Sequence, residues 1–241
     1  MKILPATDII NGALVRLTRG DYNAVKVYDA DPVSTARSFA AKGAKYIHVV
    51  DLDGAKDPEK SNFKVISDII SAAPLKAEVG GGIRSMERIG RYLEAGAWRV
   101  IIGTAALTDP AFLDEALRVY GPERICVGVD AKGGFAATDG WTKTSTLDSF
   151  SFCRALRERG IVNIVYTDIS RDGMLSGTNM EAYEKLVQID GLRTVASGGI
   201  CSISEIEALE KLGTDGAIIG KAMYEGLIDL AQAVSAAGEQ C

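Results

Sequence analysis

The sequence lacks the residue clusters on which metal and redox sites are usually built. Its 241 residues include one histidine and four cysteines, and no two cysteines form a CxxC pair. The aspartates have no histidine or carboxylate at metal-ligand spacing, so no metal site is predicted. Cys126 and Cys201 lie in or beside apolar, strand-like runs and are expected to be buried, reduced thiols.

Other absences narrow the classes of function. The net charge is −5 and lysine and arginine form no block, so no nucleic-acid partner is predicted. No apolar run approaches the ~18–20 residues that a membrane helix needs, and residues 1–5 are typical of a strand rather than a signal peptide. The glycine runs do not follow G-x-G-x-x-G, so no flavin or nicotinamide cofactor is expected. These observations favour a cytoplasmic protein without a membrane partner.

Short apolar, β-branched runs alternate with helical segments along the chain. The predicted strands are residues 3–7, 46–51, 77–79, 100–102, 125–130, 164–168, 194–196 and 217–219. Continuously apolar strands are typical of parallel sheets covered on both faces, and barrels of ~250 residues are common. The pattern predicts an α/β fold in which residues 1–241 form a single (β/α)₈ TIM barrel. A doubly wound open sheet is the alternative.

The chain also contains an internal repeat. A shift of 117 residues places Gly43 on Gly160, Asp51 on Asp168 and the run at 81–83 on the run at 198–200. This period is longer than the ~20–50 residues of a solenoid unit, so it indicates half of a domain. Half-barrels of approximately 1–122 and 123–241 are therefore predicted, and an open sheet would not explain them.

Glycine-rich turns follow predicted strands three, four, seven and eight. Without a Cβ atom, the chain can bring its N–H groups against a phosphate, and a following helix N-terminus adds partial positive charge. Tight turns alone would not need to recur as adjacent pairs, so two phosphate sites and a substrate with two phosphate ends are predicted. The residues assigned to them are Gly81, Gly82, Arg84, Gly103, Thr104, Ser197, Gly198, Gly199, Gly220 and Lys221.

Carboxylates end the first predicted strand of each half. The repeat places Asp8 and Asp130 across the barrel mouth from each other, between the two phosphate sites. Two such carboxylates can divide into general acid and general base when their surroundings separate their pKa values. Asp172, after strand six, is a third candidate. His48, the single histidine, lies in an apolar strand and is expected to be a core residue.

Two long segments, 11–31 and 131–146, follow strands one and five. Both begin at the barrel face on which active sites are built, so they are predicted to be lids or substrate clamps. Gly133, Gly134 and Gly140 in the second segment suit a loop that moves.

Four motifs together closely resemble the HisA family, the phosphoribosylformimino-aminoimidazole carboxamide ribotide isomerases of histidine biosynthesis. They are PATDIING at 5–12, VVDLDGA at 49–55, VGGGIR at 79–84 and YTDISRDGM at 166–174, and the resemblance covers essentially the whole chain. It implies an Amadori rearrangement of an N-linked phosphoribosyl aminoaldose to an aminoketose. Protonation of the furanose oxygen opens the ring to a Schiff base, and loss of the C2′ proton gives an enolamine that becomes the ketose.

The resemblance also implies roles for individual residues. The family's pattern assigns the base to Asp8 and the acid to Asp130, although Asp172 could deliver that proton and leave Asp130 to support Asp8. Arg19 and Trp141, in the two long segments, resemble residues that fold over the substrate. Trp141 would stack on the imidazole, or would only anchor its own loop.

Three other functions stay open from the sequence. A bifunctional isomerase would also act on phosphoribosylanthranilate, and the sister cyclase of imidazole glycerol phosphate synthase shares the barrel and its paired aspartates. The runs RDGM at 171–174 and LDGA at 52–55 favour the isomerase over the cyclase. A non-catalytic barrel would bind a bisphosphate without turnover. A monomer is expected.

Overall fold

The computed structural model describes residues 1–18, 20–28, 30–138, 140–141 and 143–238. Its strands are β1 (Lys2–Ile10), β2 (Ala13–Thr18), β3 (Asp21–Val27), β4 (Tyr46–Asp51), β5 (Lys76–Gly80), β6 (Arg99–Ile102), β7 (Ile125–Lys132), β8 (Phe135–Thr138), β9 (Lys143–Asp148), β10 (Asn163–Asp168), β11 (Arg193–Ser197) and β12 (Gly216–Ile219). Its helices are α1 (Pro32–Ala41), α2 (Leu52–Lys56), α3 (Phe63–Ala72), α4 (Met86–Glu94), α5 (Thr104–Thr108), α6 (Pro110–Tyr120), α7 (Ser149–Glu158), α8 (Met180–Leu186), α9 (Ile203–Leu212), α10 (Lys221–Tyr224) and α11 (Leu230–Ala236). None of these helices is both long and apolar enough to cross a membrane.

Eight of the strands form a closed parallel barrel. Their order around it is β1, β4, β5, β6, β7, β10, β11 and β12, and β12 pairs with β1 to close the ring. Each of the eight predicted strands lies within one of these, and helices lie between them. The prediction of a (β/α)₈ barrel is therefore confirmed, and the alternative of an open sheet is wrong.

The two long segments begin as antiparallel hairpins rather than as irregular loops. β1 continues into β2 through Asn11 and Gly12, and β7 continues into β8 through Gly133 and Gly134; all four residues have positive φ. Two successive positive φ values are the mark of the tight type I′ hairpin turn. Gly133 and Gly134 therefore make the turn that continues the sheet, and the movement of this segment stays a prediction.

The apolar side chains form two core clusters. One fills the barrel interior and consists of Leu4, Ala6, Ile101, Cys126, Val165, Val195 and Ile218. The other, larger cluster packs the outer faces of the strands against the helices. Because side chains alternate along a strand, the residue two positions beyond each interior core residue also faces inward. At the C-terminal ends of the strands these residues form the mouth of the barrel.

The sequence repeat has a counterpart in the local structure. Asn62 donates its side-chain amide to Asp51 at 2.8 Å, and the corresponding Asn179 donates to Asp168, also at 2.8 Å. Ser85 and Ser202, another matched pair, cap α4 and α9 by accepting a hydrogen bond from the amide three residues on. Matched residues thus fix matched loop-to-helix connections in the two halves.

Candidate active site

One cavity opens at the C-terminal ends of the barrel strands. Its lining contains every predicted site residue that the structure describes, namely Asp8, Gly81, Gly82, Arg84, Gly103, Thr104, Asp130, Trp141, Asp172, Ser197, Gly198, Gly199, Gly220 and Lys221. Arg19 lies outside the described residues. The predicted site residues that the structure describes therefore all meet around one cavity.

The alternation of side chains explains why the mouth is polar. Asp130 follows the inward-facing Gly128 on β7, and Thr167 follows the core residue Val165 on β10. The two strands pair with Thr167 opposite Asp130, and the Thr167 side chain hydrogen-bonds the Asp130 carboxylate. Thr167 is not among the residues predicted from the sequence. Counting two residues on from an apolar interior position would have found it.

A second residue that the sequence analysis missed, Arg16, forms an ion pair with Asp8. Its NH1 lies 2.7 Å from Asp8 Oδ2, and the two side chains are only 11% and 13% exposed. The guanidinium also lies against Gly220, where an added Cβ would come within 2.4 Å of NH2. Burial by itself would lower the pKa of Arg16, but Asp8 and Asp172 outweigh it and raise that pKa. Arg16 is therefore charged, and it connects Asp8 with one of the predicted phosphate turns.

Asp130 and Asp172 differ in the interactions that their carboxyl groups make. Burial raises the pKa of Asp130, and hydrogen bonds from Trp141 and Thr167 oppose the increase by stabilising its ionised form. Burial also raises the pKa of Asp172, and the charge of Arg16 is the largest opposing effect. The Asp172 carboxyl group makes no hydrogen bond with another described residue. The Asp172 carboxyl group can therefore donate a proton to a ligand. The Asp130 carboxylate, in contrast, already accepts hydrogen bonds from Trp141 and Thr167.

The first glycine turn packs closely against the loop that follows β4. Gly81 and Gly82 have φ values of 95° and 69°, and added Cβ atoms would come within 2.2 Å of Asp51 O and 2.1 Å of Gly54 O. Arg88 braces the turn by donating to Gly82 O at 3.0 Å and to Lys60 O at 2.6 Å. The Gly82 amide donates no hydrogen bond within the described residues, so it is available to an anion in the cavity.

The second glycine turn repeats this packing with a brace of opposite charge. An added Cβ would come within 2.6 Å of Asp168 O at Gly198 and within 2.4 Å of Gly177 O at Gly199. Glu205 occupies the position that corresponds to Arg88, and it accepts from the amides of Cys201 at 2.9 Å and Thr178 at 2.6 Å. This brace fixes the turn against the end of the loop that carries Asp172.

Lys221, assigned to the second phosphate site, also reaches the Asp172 loop. Its ammonium donates to Gly173 O at 2.9 Å. In the first half, Arg84 donates to Ala55 O at 2.7 Å. Each predicted phosphate site thus has a cation at the cavity wall.

Alanine variants at two glycines with the same φ can distinguish the free-energy cost of a positive φ from the cost of a steric contact. Gly198 and Gly213 both have φ values of 91°, but an added Cβ meets Asp168 O at Gly198 and nothing within 4 Å at Gly213. Both alanine variants lose the ~1 kcal/mol of a left-handed residue. Gly198→Ala should lose a further ~1–3 kcal/mol through overpacking. Urea unfolding of the two variants measures this difference, and equal destabilisation would show that the contact is unimportant.

Trp141 joins the two hairpins above the cavity. It has a positive φ of 72°, and an added Cβ on Gly20 would come within 2.3 Å of its ring. Its side chain also hydrogen-bonds Asp130. These contacts fix the second hairpin against the first, and the stacking of Trp141 on a substrate stays a prediction.

His48 lines the same cavity and is half-buried, so the expectation of a core histidine was only partly right. Among the described residues, no group of three or more histidine, cysteine or carboxylate side chains is placed to hold a metal ion.

Comparison with known proteins identifies close relatives. A model of the family described as "Histidine biosynthesis protein" matches residues 2–229. A protein of Oceanobacillus iheyensis is 47% identical over 230 residues, which is 95% of each chain. One of Campylobacter hominis is 46% identical over 97% of this chain and 98% of its own, and one of Listeria innocua is 45% identical over 97% of each chain. All three are named 1-(5-phosphoribosyl)-5-((5-phosphoribosylamino)methylideneamino)imidazole-4-carboxamide isomerase.

Proposed function

Because this chain belongs to the histidine biosynthesis protein family, we propose that it catalyses the isomerisation for which its relatives are named. The substrate is a phosphoribosyl aminoaldose with a second phosphoribosyl group on its imidazole, and the product is the corresponding aminoketose. The chain acts as an intramolecular aldose–ketose isomerase that uses acid and base groups of its own. The observation that carries this proposal is the meeting of three carboxylates in one cavity between two glycine-rich turn pairs.

The lining of the cavity, with a pair of glycine turns from each half, fits a substrate with a phosphate at each end. One end is bound by the turns at Gly81 and Gly103, and the other by the turns at Gly198 and Gly220. Charge-assisted hydrogen bonds from main-chain amides, each contributing ~1.5–3 kcal/mol, hold each phosphate. The cations Arg84 and Lys221 lie beside these turns. The sugar that reacts is then held between the ends, beside the carboxylates.

Asp172 is the general acid in this proposal. Asp172 is half-buried in the cavity lining, and desolvation raises its pKa. Its carboxyl group makes no hydrogen bond with another described residue, so it can carry a proton to the furanose oxygen. The C1′–O bond then breaks, and the electron pair on nitrogen forms the protonated Schiff base. This assignment differs from the family pattern, which favoured Asp130.

Asp8 is the general base. Arg16 NH1 lies 2.7 Å from its Oδ2 and orients the carboxylate. Asp8 removes the C2′ proton, and the electron pair of that C–H bond neutralises the iminium group. The enolamine then becomes the ketose by accepting a proton at C1′ while the C2′ hydroxyl group loses its proton. Asp130 has a supporting role, in which its hydrogen bonds with Thr167 and Trp141 shape the cavity wall.

Turnover assays with three substrates test the proposed function. The purified chain should convert the bisphosphorylated aminoaldose to its ketose. It should not isomerise phosphoribosylanthranilate, and it should not perform ammonia-dependent cyclisation of the ketose. Turnover of phosphoribosylanthranilate would identify a bifunctional isomerase, cyclisation would identify the sister cyclase, and binding without turnover would identify a non-catalytic barrel.

All the residues in these roles come from one chain. A monomer is therefore sufficient for the proposed reaction, and we propose a monomer that works in the cytoplasm. Gel filtration at assay concentration tests the oligomeric state, and a dimer as the smallest active species would contradict it.

A further inference from the structure

Three ionisable side chains lie side by side in the barrel wall below the carboxylates. Strand pairing places His48 of β4 opposite Glu78 of β5, and Glu78 opposite Arg99 of β6. His48 Nδ1 lies 2.6 Å from Glu78 Oε1, and Arg99 donates to Glu78 Oε2 from Nε at 2.8 Å and NH2 at 2.6 Å. The side chains of Glu78 and Arg99 are fully buried, whereas that of His48 is 13% exposed.

The charge of Glu78 determines which histidine nitrogen carries hydrogen. Burial would raise the pKa of Glu78, but Arg99 and His48 outweigh this effect and hold that pKa at about 2. Glu78 is therefore an ionised carboxylate at neutral pH, and an ionised carboxylate only accepts hydrogen bonds. Nδ1 of His48 must be the donor in this contact. In the neutral imidazole, the other nitrogen, Nε2, is then an unprotonated acceptor.

Nε2 is available to a molecule in the cavity. His48 lines that cavity, and its only hydrogen bond within the described residues is the one to Glu78. The residue opposite His48 on β1 is Ala6, and the next inward residue of β1 is Asp8. The imidazole therefore lies one inward position below the proposed base.

We propose that Glu78 is a positioning residue that fixes His48 as its Nδ1–H tautomer, so that Nε2 accepts a hydrogen bond from a hydroxyl or N–H group in the middle of the bound substrate. Arg99 keeps Glu78 ionised in this arrangement. The inference rests on the proposed function for the identity of the substrate, but not for the tautomer. A purely structural ion pair between β5 and β6 would not need a histidine edge in the cavity.

The single histidine of the chain makes the tautomer directly measurable. With the imidazole labelled with ¹⁵N in tag-free protein, NMR yields the signals of His48 alone. At a pH where the imidazole is neutral, the spectrum should contain a proton-bearing Nδ1 and an unprotonated Nε2. A neutral ring protonated on Nε2 would overturn the positioning role of Glu78, whatever reaction the chain catalyses.

Ligand additions test the contact with Nε2. Inorganic phosphate fills only the ends of the cavity and should leave the Nε2 signal unchanged. The bisphosphorylated aminoaldose, added to an Asp8→Asn variant that turns over slowly, should shift the Nε2 signal. If this substrate binds and Nε2 does not respond, the contact is refuted. If it does not bind, the proposed function fails together with the contact, while the tautomer result still stands.

A double variant tests the same point without leaving a buried charge unpaired. Glu78→Gln combined with Arg99→Met should give a mixture of tautomers and lower kcat/KM by up to about tenfold, the effect of one hydrogen bond. Lys2→Met combined with Asp215→Asn removes an ion pair at the other end of the barrel and is the matched control. Unchanged tautomer and kcat/KM in the first double variant would contradict the proposal.

Discussion

Replacing Asp8 with asparagine is expected to lower kcat by about 10²–10⁴-fold and to leave KM nearly unchanged. An amide keeps the shape of the side chain but cannot accept the C2′ proton. The rate of the chemical step should therefore fall while substrate binding is retained. Asp8 contributes no group to either phosphate site, so we expect phosphate binding at the two ends of the substrate to change little. Steady-state kinetics at several substrate concentrations separate the two constants.

Asp53→Asn is the matched control for this variant. Asp53 lies in α2, just after the end of β4. It accepts hydrogen bonds from Asn11 N and Asn62 Nδ2, contacts that an asparagine oxygen can keep. We expect its kcat to stay close to that of the unmodified chain. A loss in Asp8→Asn no larger than the loss in Asp53→Asn would exclude Asp8 as the base.

Asp172→Asn should have an effect of similar size and should also change the pH profile. A general acid works in its protonated form, so kcat/KM falls as the pH rises through the pKa of that acid. Burial raises the pKa of Asp172 above its ordinary value, which moves this alkaline limb upward. Arg16 and Lys221 oppose the shift, as does His48, and Asp8 adds to it. Removal of the carboxyl group should abolish the limb and lower kcat by at least about 10²-fold.

The corresponding Asp130→Asn variant decides between the two candidate acids. Asparagine can still accept a hydrogen bond from Trp141 or Thr167, so we expect a smaller loss of kcat and an alkaline limb that persists. If Asp130→Asn removes the limb while Asp172→Asn keeps it, the two roles must be exchanged. Circular dichroism and thermal unfolding of both variants control for misfolding.

The sequence was informative where short-range chemistry determines the structure. The eight barrel strands follow from apolar runs, and the glycine turns follow from positions where a side chain would strike a neighbouring carbonyl, as at Gly81 and Gly198. Asp8, Asp130 and Asp172 stand out because each comes at or just after the end of an apolar strand. These features need no knowledge of how distant segments pair.

The residues that were missed depend on pairing. Arg16 reaches Asp8 because the turn at Asn11 and Gly12 folds β2 back along β1. Without that turn, nothing in the sequence distinguishes Arg16 from the other cations of the segment, and the role that the resemblance implies for Arg19 stays a prediction. His48 looked apolar by its neighbours, and its polar partner Glu78 is 30 residues away on the adjacent strand. An Asn-Gly pair between β-branched runs was the signal that could have indicated the first hairpin.

The repeat and the chemistry divide the molecule differently. The packing of the glycine turns is the same in both halves, but the braces behind them, Arg88 and Glu205, have opposite charges. Arg16 lies against Gly220 of the second pair of turns, and Lys221 of the same turn donates to Gly173, the neighbour of Asp172. The two halves thus provide similar phosphate sites, whereas the acid–base groups lie nearer to one of them. This arrangement suits a substrate that has two phosphates but reacts at only one of its two sugars.

A single-turnover measurement tests the central claim most directly. The purified chain, in excess over the bisphosphorylated aminoaldose, is compared with Asp8→Asn at equal occupancy of the site. We expect the unmodified chain to form the aminoketose rapidly. The Asp8→Asn variant, with its site fully occupied, should form it at least about 10²-fold more slowly. Equal rates, or tight binding by the unmodified chain with no ketose formed, would contradict this claim.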